Sequence, residues 1–390
     1  KVSIVMTFRN RYIKNFVFVP IALSMNLILQ SCSRIYLGSD NQEVFNESIQ
    51  PDELGDIIQS WEDGARTDDS KNQFEWWYFD AELDDGSFVV AYFYKVHFLK
   101  DQFFIGFNYT SPEKEDFFRL KYFKSNEVSF QSDSCLVTMN KNLFTGNLNK
   151  YNIALDPDDF DGFGFSLNLQ SLVGPYRPQD GIIQAGDDYF AWLAAVPNGD
   201  VDGTITINGK EKKIKGSGYH DHNWGNTPLQ KLFKSWTWFR GKAGPYTVIL
   251  AELNAVESRG GFDIPILFVA DENQVLVDKF GNKELLTMKN NLIEDYYPPN
   301  NEPQFSNFLM SSHDNVSVKI SGNQIIDNIE IFKRLSLPAP LNLFKPAVNF
   351  AFRSSGIDPF YTRFASSFVL KIDENIEIDG TGVMEIMDLQ

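Results

Sequence analysis

The sequence predicts an all-β protein built from two β-barrel or sandwich domains in tandem. Three observations carry that expectation. The chain has 390 residues, more than one ordinary domain holds. From Phe74 onward, short β-branched and aromatic runs recur, separated by turn pairs such as Asp85-Gly86 and Asn208-Gly209. Aromatic residues make up 15% of the chain, led by 35 Phe, which suits β packing around large apolar interiors.

The elements follow in order. Residues 74–83 and 87–99 flank Asp84-Asp85-Gly86 as a hairpin. Short strands are expected at 103–109, 117–123, 127–130, 135–139, 163–172 and 190–196, with a turn at Asn198-Gly199. Residues 203–207 and 213–219 then flank Asn208-Gly209, the strongest local turn signal in the chain. The second half repeats the style at 235–240, 246–255, 264–270, 274–280, 305–312, 316–321, 325–332, 368–372 and 380–389. Only 338–354 hints at helix. Trp76-Trp77-Tyr78-Phe79 opens the first hairpin and Trp236-Thr237-Trp238-Phe239 its counterpart, a faint internal echo. These patterns set an N-terminal β domain at 71–225 and a C-terminal one at 226–390.

The amino terminus reads as an address. Arg9, Arg11 and Lys14 precede an apolar run at 16–29, and Gln30-Ser31-Cys32 follows. Positive, apolar and small in that order describe an export signal, and the run is short for a transmembrane helix. Leu29-Gln30-Ser31-Cys32 resembles the bacterial lipobox, in which the cysteine is acylated and becomes the first residue. Residues 1–31 are therefore expected to be a lipoprotein signal peptide and Cys32 a membrane anchor; simple secretion and a retained anchor are the alternatives. The expected location is the bacterial envelope, periplasmic or surface facing. Ser33 does not resemble an inner-membrane retention signal, which tilts the expectation towards the outer membrane. Residues 32–70, polar and acidic, read as a tether with one short helix near 51–61.

Charge narrows the partners. The chain holds 35 Lys+Arg against 52 Asp+Glu, a formal charge of −17, and loses four further basic residues if 1–31 are removed. Such an acidic surface argues against nucleic acid, which needs a basic footprint. It is compatible with a hydrophobic small molecule held in a pocket. Two cysteines, Cys32 and Cys135, build no disulfide framework, and Cys135 reads as a packing residue.

Three segments can carry chemistry. Residues 216–225, GSGYHDHNWG, are too dense in functional groups for a plain strand. If extended, they place Tyr219, Asp221 and Asn223 on one face and His220, His222 and Trp224 on the other. In an acid–base reading, Asp221 in an apolar pocket has a raised pKa and moves a proton while Tyr219 orients the substrate. In a metal reading, His220 and His222 form an H-x-H pair that needs a third ligand such as His97, His313 or Glu75. In a structural reading, the buried polar groups tie the two halves together. In FEWWYFD at 74–80, Glu75, Trp77 and Phe79 share one face and Trp76, Tyr78 and Asp80 the other, so that strand is expected between a core and a cavity. Trp192, Trp236, Trp238 and Arg240 form a group suited to lining an apolar pocket or to facing a cation.

FEWWYFD, the W-x4-PNGDVDG run at 192–203, GSGYHDHNWG, and the closing GTGVMEIMDL at 380–389 together resemble one superfamily. It contains carotenoid 1,2-hydratase, kievitone hydratase, fungal Diels–Alderases and bacterial lipocalin-like proteins. The resemblance implies two lipocalin-like β domains, a ligand pocket between or inside them, and no cofactor; no residue is assigned to a metal. It also implies an Asp that protonates an isoprenoid alkene, a part that Asp221 and Tyr219 match. The stretch comparable to the hydratases' upstream strand, 189–196, supplies Trp192 and no histidine, which widens the implied chemistry beyond carotenoid hydration. The expected function is a cofactor-independent hydratase or cyclase acting on a polyene or isoprenoid substrate. Asp221 and Tyr219 are its catalytic residues. Glu75, Trp77, Trp192, His220, His222, Asn223, Trp224, Trp236 and Trp238 bind the substrate. The alternative is a carrier of lipid or pigment.

Overall fold

The computed structural model describes residues 57–68, 72–97, 101–112, 116–179, 181–293, 304–330 and 358–389, with positions 54, 346, 349, 350 and 353. The expected signal peptide, Cys32 and nearly all of the helix hinted at 338–354 lie outside the described residues.

Two antiparallel sheets make up the fold, and the all-β tandem architecture is as expected. The first contains β1 (Gln73–Leu83), β2 (Phe88–His97), β3 (Asp101–Thr110), β4 (Asp116–Phe123), β5 (Val128–Phe130), β6 (Cys135–Met139), β7 (Asn142–Gly146), β8 (Lys150–Leu155), β9 (Gly164–Ser171), β10 (Ile182–Ala185), β11 (Asp188–Ile207) and β12 (Lys210–Gly225). Its order is β4-β3-β2-β1-β12-β11-β9-β8-β7-β6-β5, a nearly closed barrel with β10 attached to β11. The second contains β13 (Phe233–Ala243), β14 (Tyr246–Ala255), β15 (Asp263–Ala270), β16 (Val275–Phe280), β17 (Leu285–Ile293), β18 (Gln304–Ser312), β19 (Val316–Glu330), β20 (Phe360–Ile372) and β21 (Ile376–Asp388). Its order, β16-β15-β14-β13-β21-β20-β19-β18-β17, curls into a half-barrel.

Several local expectations change. Asn198-Gly199 is not a hairpin turn but lies within the 20-residue β11, which shifts register against β12 between Leu193 and Gly199. Such bulges bend a long strand without breaking it, so a turn-favouring pair there marks a bend. Strands β7, β8, β10 and β17 were not apparent from the sequence; their alternation is diluted by Asn, Lys and Thr. The short helix expected near 51–61 is, among the described residues, one 3-10 turn at Ser60–Asp63. The expected tether does not trail in solvent there: Glu62 and Asp63 are fully buried. Both charges find partners inside the first barrel, Arg177 for Glu62 and His220 for Asp63, which is what permits their burial.

Strand β1 is buried along both faces, as is the 219–225 end of β12. Trp77, Phe79 and Trp224 face the barrel interior with Phe93, Phe144 and Leu193. Trp76, Tyr78 and Tyr219 face outward onto Ile249, Ile266 and Phe268 of the second sheet. Tyr176 stacks on Phe268 with centroids 4.2 Å apart, and ion pairs Arg240–Asp80 and Arg259–Asp188 join the sheets, each at 2.5 Å. A separate core fills the half-barrel around Phe239, Leu250, Phe308 and Met384.

Candidate active site

The pairing of β1 with β12 sets the site. Antiparallel register puts Trp76 opposite Asn223, Tyr78 opposite Asp221 and Asp80 opposite Tyr219, so all six share one face. That face meets β13, β14 and β21 across a cavity that is partly open to solvent. Its first-sheet wall is Trp76, Tyr78, Phe190, Trp192, Tyr219, Asp221 and Asn223; its second-sheet wall is Trp236, Trp238, Ala251, Leu253 and Glu385. Leu229 and Phe233 close it near the link between the sheets.

Asp221 is the polar centre of this apolar space, 9% exposed. Tyr219 OH donates to its Oδ2 at 2.9 Å, Trp192 Nε1 donates to the same oxygen at 3.1 Å, and Asn223 Nδ2 donates to Oδ1 at 2.8 Å. Burial pushes the Asp221 carboxyl up to about 7, against the pull of the Tyr219 hydrogen bond, the His220 charge and the Trp192 and Asn223 donors. Desolvation therefore wins over three hydrogen bonds, leaving a carboxyl that can hold or release its proton near neutrality. Tyr219, fully buried beside Asp221, is driven well above the usual phenol range by that burial and by the neighbouring carboxylate. It is a donor, not a base.

Behind Tyr219 stands a second polar group. The Arg240 guanidinium lies 5.2 Å from the Tyr219 ring centroid and bonds Asp80 Oδ1 at 2.5 Å, while Tyr78 OH donates to Asp80 Oδ2 at 3.0 Å. Arg363 Nε stands 3.3 Å from Glu385 Oε1. Burial holds the Glu385 carboxyl above its ordinary range, although the Arg363 charge and the Tyr361 hydrogen bond pull against it.

The expected site residues divide between the two faces of β1 and β12. Asp221, Tyr219, Asn223, Trp192, Trp236 and Trp238 come together at the cavity. Glu75, Trp77, His220, His222 and Trp224 do not: strand alternation sends them into the first barrel, away from any substrate in the cavity. There His220 Nδ1 and Nε2 lie 2.8 Å from Tyr78 O and 3.1 Å from Asp63 Oδ2. His222 lies 3.1 Å from Glu62 O, 2.9 Å from Glu75 Oε1 and 3.6 Å from Asp63 Oδ1, so Asp63 sits between the two rings and His222 engages Glu75 as well. Trp77 stacks on His222 with centroids 4.6 Å apart and bonds Asp63 O through Nε1 at 2.9 Å.

Among the described residues, Asp63, Cys135 and His220 bring metal-ligating atoms within 4.8 Å of one another. Burial keeps the Cys135 thiol far above its usual range, and Tyr151 OH donates to Asp63 Oδ2 at 2.6 Å. This is a hydrogen-bonded core cluster.

Trp76, Tyr78 and Glu385 were not singled out from the sequence. Pairing 74–80 against 219–225 finds the first two, because residues opposite each other in an antiparallel ladder share a face. Glu385 stands in the closing 380–389 motif, where a carboxylate flanked by Met384 and Ile386 is the available signal.

Fold and site together define a class: tandem β proteins that hold an apolar cavity with a buried acid between their two sheets. The chain belongs to the Diels-Alderase-like family, whose family model matches residues 65–281, more than half of it. The quinolone epoxide rearrangement protein of Penicillium thymicola is 32% identical over 106 residues, covering 26% of this chain and 28% of that relative, so the match spans about a quarter of each. Among solved structures, a Nitrosomonas europaea protein described as AttH superposes with a TM-score of 0.59 at 12% identity, covering 88% of this chain and all of that one. Kievitone hydratase of Nectria haematococca superposes with a TM-score of 0.52 at 12% identity, covering 89% and 97%. At such identities the structural likeness speaks for the fold.

Proposed function

We propose that the chain is a cofactor-independent acid catalyst acting on a neutral hydrophobic substrate of polyene, isoprenoid or fused-ring type. The observation that carries this reading is Asp221, a carboxyl titrating at about 7 in the wall of a tryptophan-lined cavity. A protonated carboxyl oriented by Tyr219, Trp192 and Asn223 donates its proton to an alkene or a strained oxygen, and the aromatic walls exclude water and hold the substrate folded. Family membership and the epoxide-rearrangement relative support ring-forming or rearranging chemistry; the hydratase fold neighbour is compatible with addition of water.

The test is extraction of the purified protein and of Asp221→Asn with organic solvent, followed by mass spectrometry. The expected result is a product on the wild type and its precursor on the variant. Equal masses identify rearrangement or cyclisation, and a gain of one water identifies hydration. One unchanged lipid on both proteins favours the second reading, a lipid or pigment carrier, which the apolar walls of the cavity also fit. An envelope address through acylation of Cys32 belongs to the same proposal; it is checked by metabolic labelling with a fatty-acid analogue, which Cys32→Ser must abolish.

A further inference from the structure

Four charged side chains cluster between the sheets beside the cavity: Asp80 of β1, Arg240 of β13, Arg363 of β20 and Glu385 of β21. All are buried or nearly so, and two cations balance two anions. They are not arranged symmetrically about the cavity. Of the four, Glu385 alone lines it; Arg363, Arg240 and Asp80 stand outside the lining. The ion pair thus presents its negative end to the space and its positive end to the protein. Register on β21 puts Trp238, Glu385 and Arg363 on one face, the one turned to the first sheet, and Arg240, two residues on from Trp238, shares it, so the cations stand beside Glu385 at the margin of the cavity. Glu385 is 5% exposed, and Tyr361 and Arg363 hold it in place. Asp221 occupies the opposite wall, on the first sheet.

We infer that Glu385 is the cation-stabilising residue of this site, and that the substrates it takes are neutral molecules whose reaction passes through a positive charge. This rests on the acid reading of Asp221 and narrows it to ionic rather than neutral concerted chemistry. The proton leaves Asp221 and forms a bond to a substrate carbon or oxygen. The C=C π bond or a C–O bond opens, and the positive charge rests on substrate carbon between the Trp76, Trp236 and Trp238 rings and the Glu385 carboxylate. Loss of a proton from the rearranged cation to Glu385 closes the step with atoms and charge balanced: Asp221 ends as carboxylate and Glu385 as acid. Exchange with solvent at the open side of the cavity restores both. Face-on aromatic rings and a carboxylate in a desolvated space both lower the energy of such a cation.

The experiment uses two probes of one shape, benzyltrimethylammonium and its neutral carbon isostere neopentylbenzene, with binding followed by tryptophan fluorescence at one fixed pH. Asp221 titrates in the same cavity, so the comparison is made in Asp221→Asn as well as in the wild type. The expected result is that Asp221→Asn binds the cation roughly tenfold or more tighter than the isostere. In Glu385→Gln that ratio falls towards one while neopentylbenzene still binds. A ratio near one in Asp221→Asn overturns the assignment whether or not the Glu385 variant folds. A ratio retained in Glu385→Gln overturns it too, by placing the preference on groups other than Glu385. Binding of neither probe to any form sinks the cavity reading itself, whereas equal binding of both sinks the cation reading alone. Because each ratio is taken within one protein, a merely structural role for Glu385 does not move it.

Discussion

At the scale of single residues, Asp221 sets function against stability. Its folded-state pKa is about 7, against about 3.9 for an unperturbed Asp. Between those values the folded chain binds more protons than the unfolded one. The contribution of Asp221 is therefore fully favourable below about pH 4 and is lost as pH rises through about 7, a loss on the order of 4 kcal/mol. Two outcomes are expected. The rate falls with a single ionisation near pH 7 as the acid form disappears, and a flat pH–rate profile through that region would falsify the acid role. Asp221→Asn, besides losing turnover, melts at a higher temperature than the wild type at pH 8, with the gain vanishing towards pH 4, as paired thermal scans would show.

Asp63 has the opposite sign. Although burial raises it, the charges of His220 and His222 with the Tyr151 hydrogen bond hold its carboxyl below the ordinary range. Its contribution is present above the unfolded value and is lost as pH falls through the lower folded one. Replacing it with Ala leaves His220 without its carboxylate inside the barrel. A loss of about 3–5 kcal/mol is expected in denaturant titrations at neutral pH, shrinking as the pH is lowered. Unchanged stability would mean that the 60–68 segment is dispensable to the barrel.

Elements, more than residues, decide what was legible in the sequence. The alternation of β1 and β12 was readable, and it paired Tyr219 with Asp221 correctly. Which face of β1 meets the cavity was not, because a period-two pattern has two equivalent faces and only the cross-strand register chooses between them. That is why Trp76 and Tyr78, rather than Glu75 and Trp77, stand beside Asp221. The two faces of these strands are buried alike, so polarity gave no help. The buried role of Glu62 and Asp63 was hidden for another reason: an acidic, weakly periodic segment reads as solvated until the barrel that receives it is known. Close packing across β2 and β3 gives an element-scale test. Tyr92 pairs with Gly106 and lies over it so closely that an added Cβ would stand 2.0 Å from the ring. Gly106→Ala is expected to cost about 1–3 kcal/mol in thermal or denaturant unfolding, while leaving the cation-to-isostere binding ratio unchanged in the folded fraction.

For the whole molecule, the largest shared feature is the apolar layer between the sheets, in which Trp76, Tyr92, Tyr94 and Phe104 meet Ile249, Ile264, Ile266 and Phe268. A layer of this kind makes each sheet the lid of the other. Calorimetry of the full chain is expected to give one cooperative transition, and residues 57–225 expressed alone should bind a hydrophobic dye and aggregate. Two well-separated transitions would show that the halves fold independently. The tandem β architecture was visible from strand spacing and turn pairs, whereas this layer depends on which strands become central, a property of long-range pairing.

The double-sided burial of β1 and β12 has a consequence for how such a molecule can change over evolutionary time. The proton source and its supports sit on one sheet, backed by the histidine–carboxylate interior that keeps those strands in register. Much of the opposing surface, including Trp236, Trp238 and Leu253, belongs to the other sheet. Substitutions there can remodel the shape of the accepted molecule without touching the charges that anchor the acid. The proton source and much of the selectivity are inherited on separate parts of the chain, so a lineage can exchange substrates while keeping one acid.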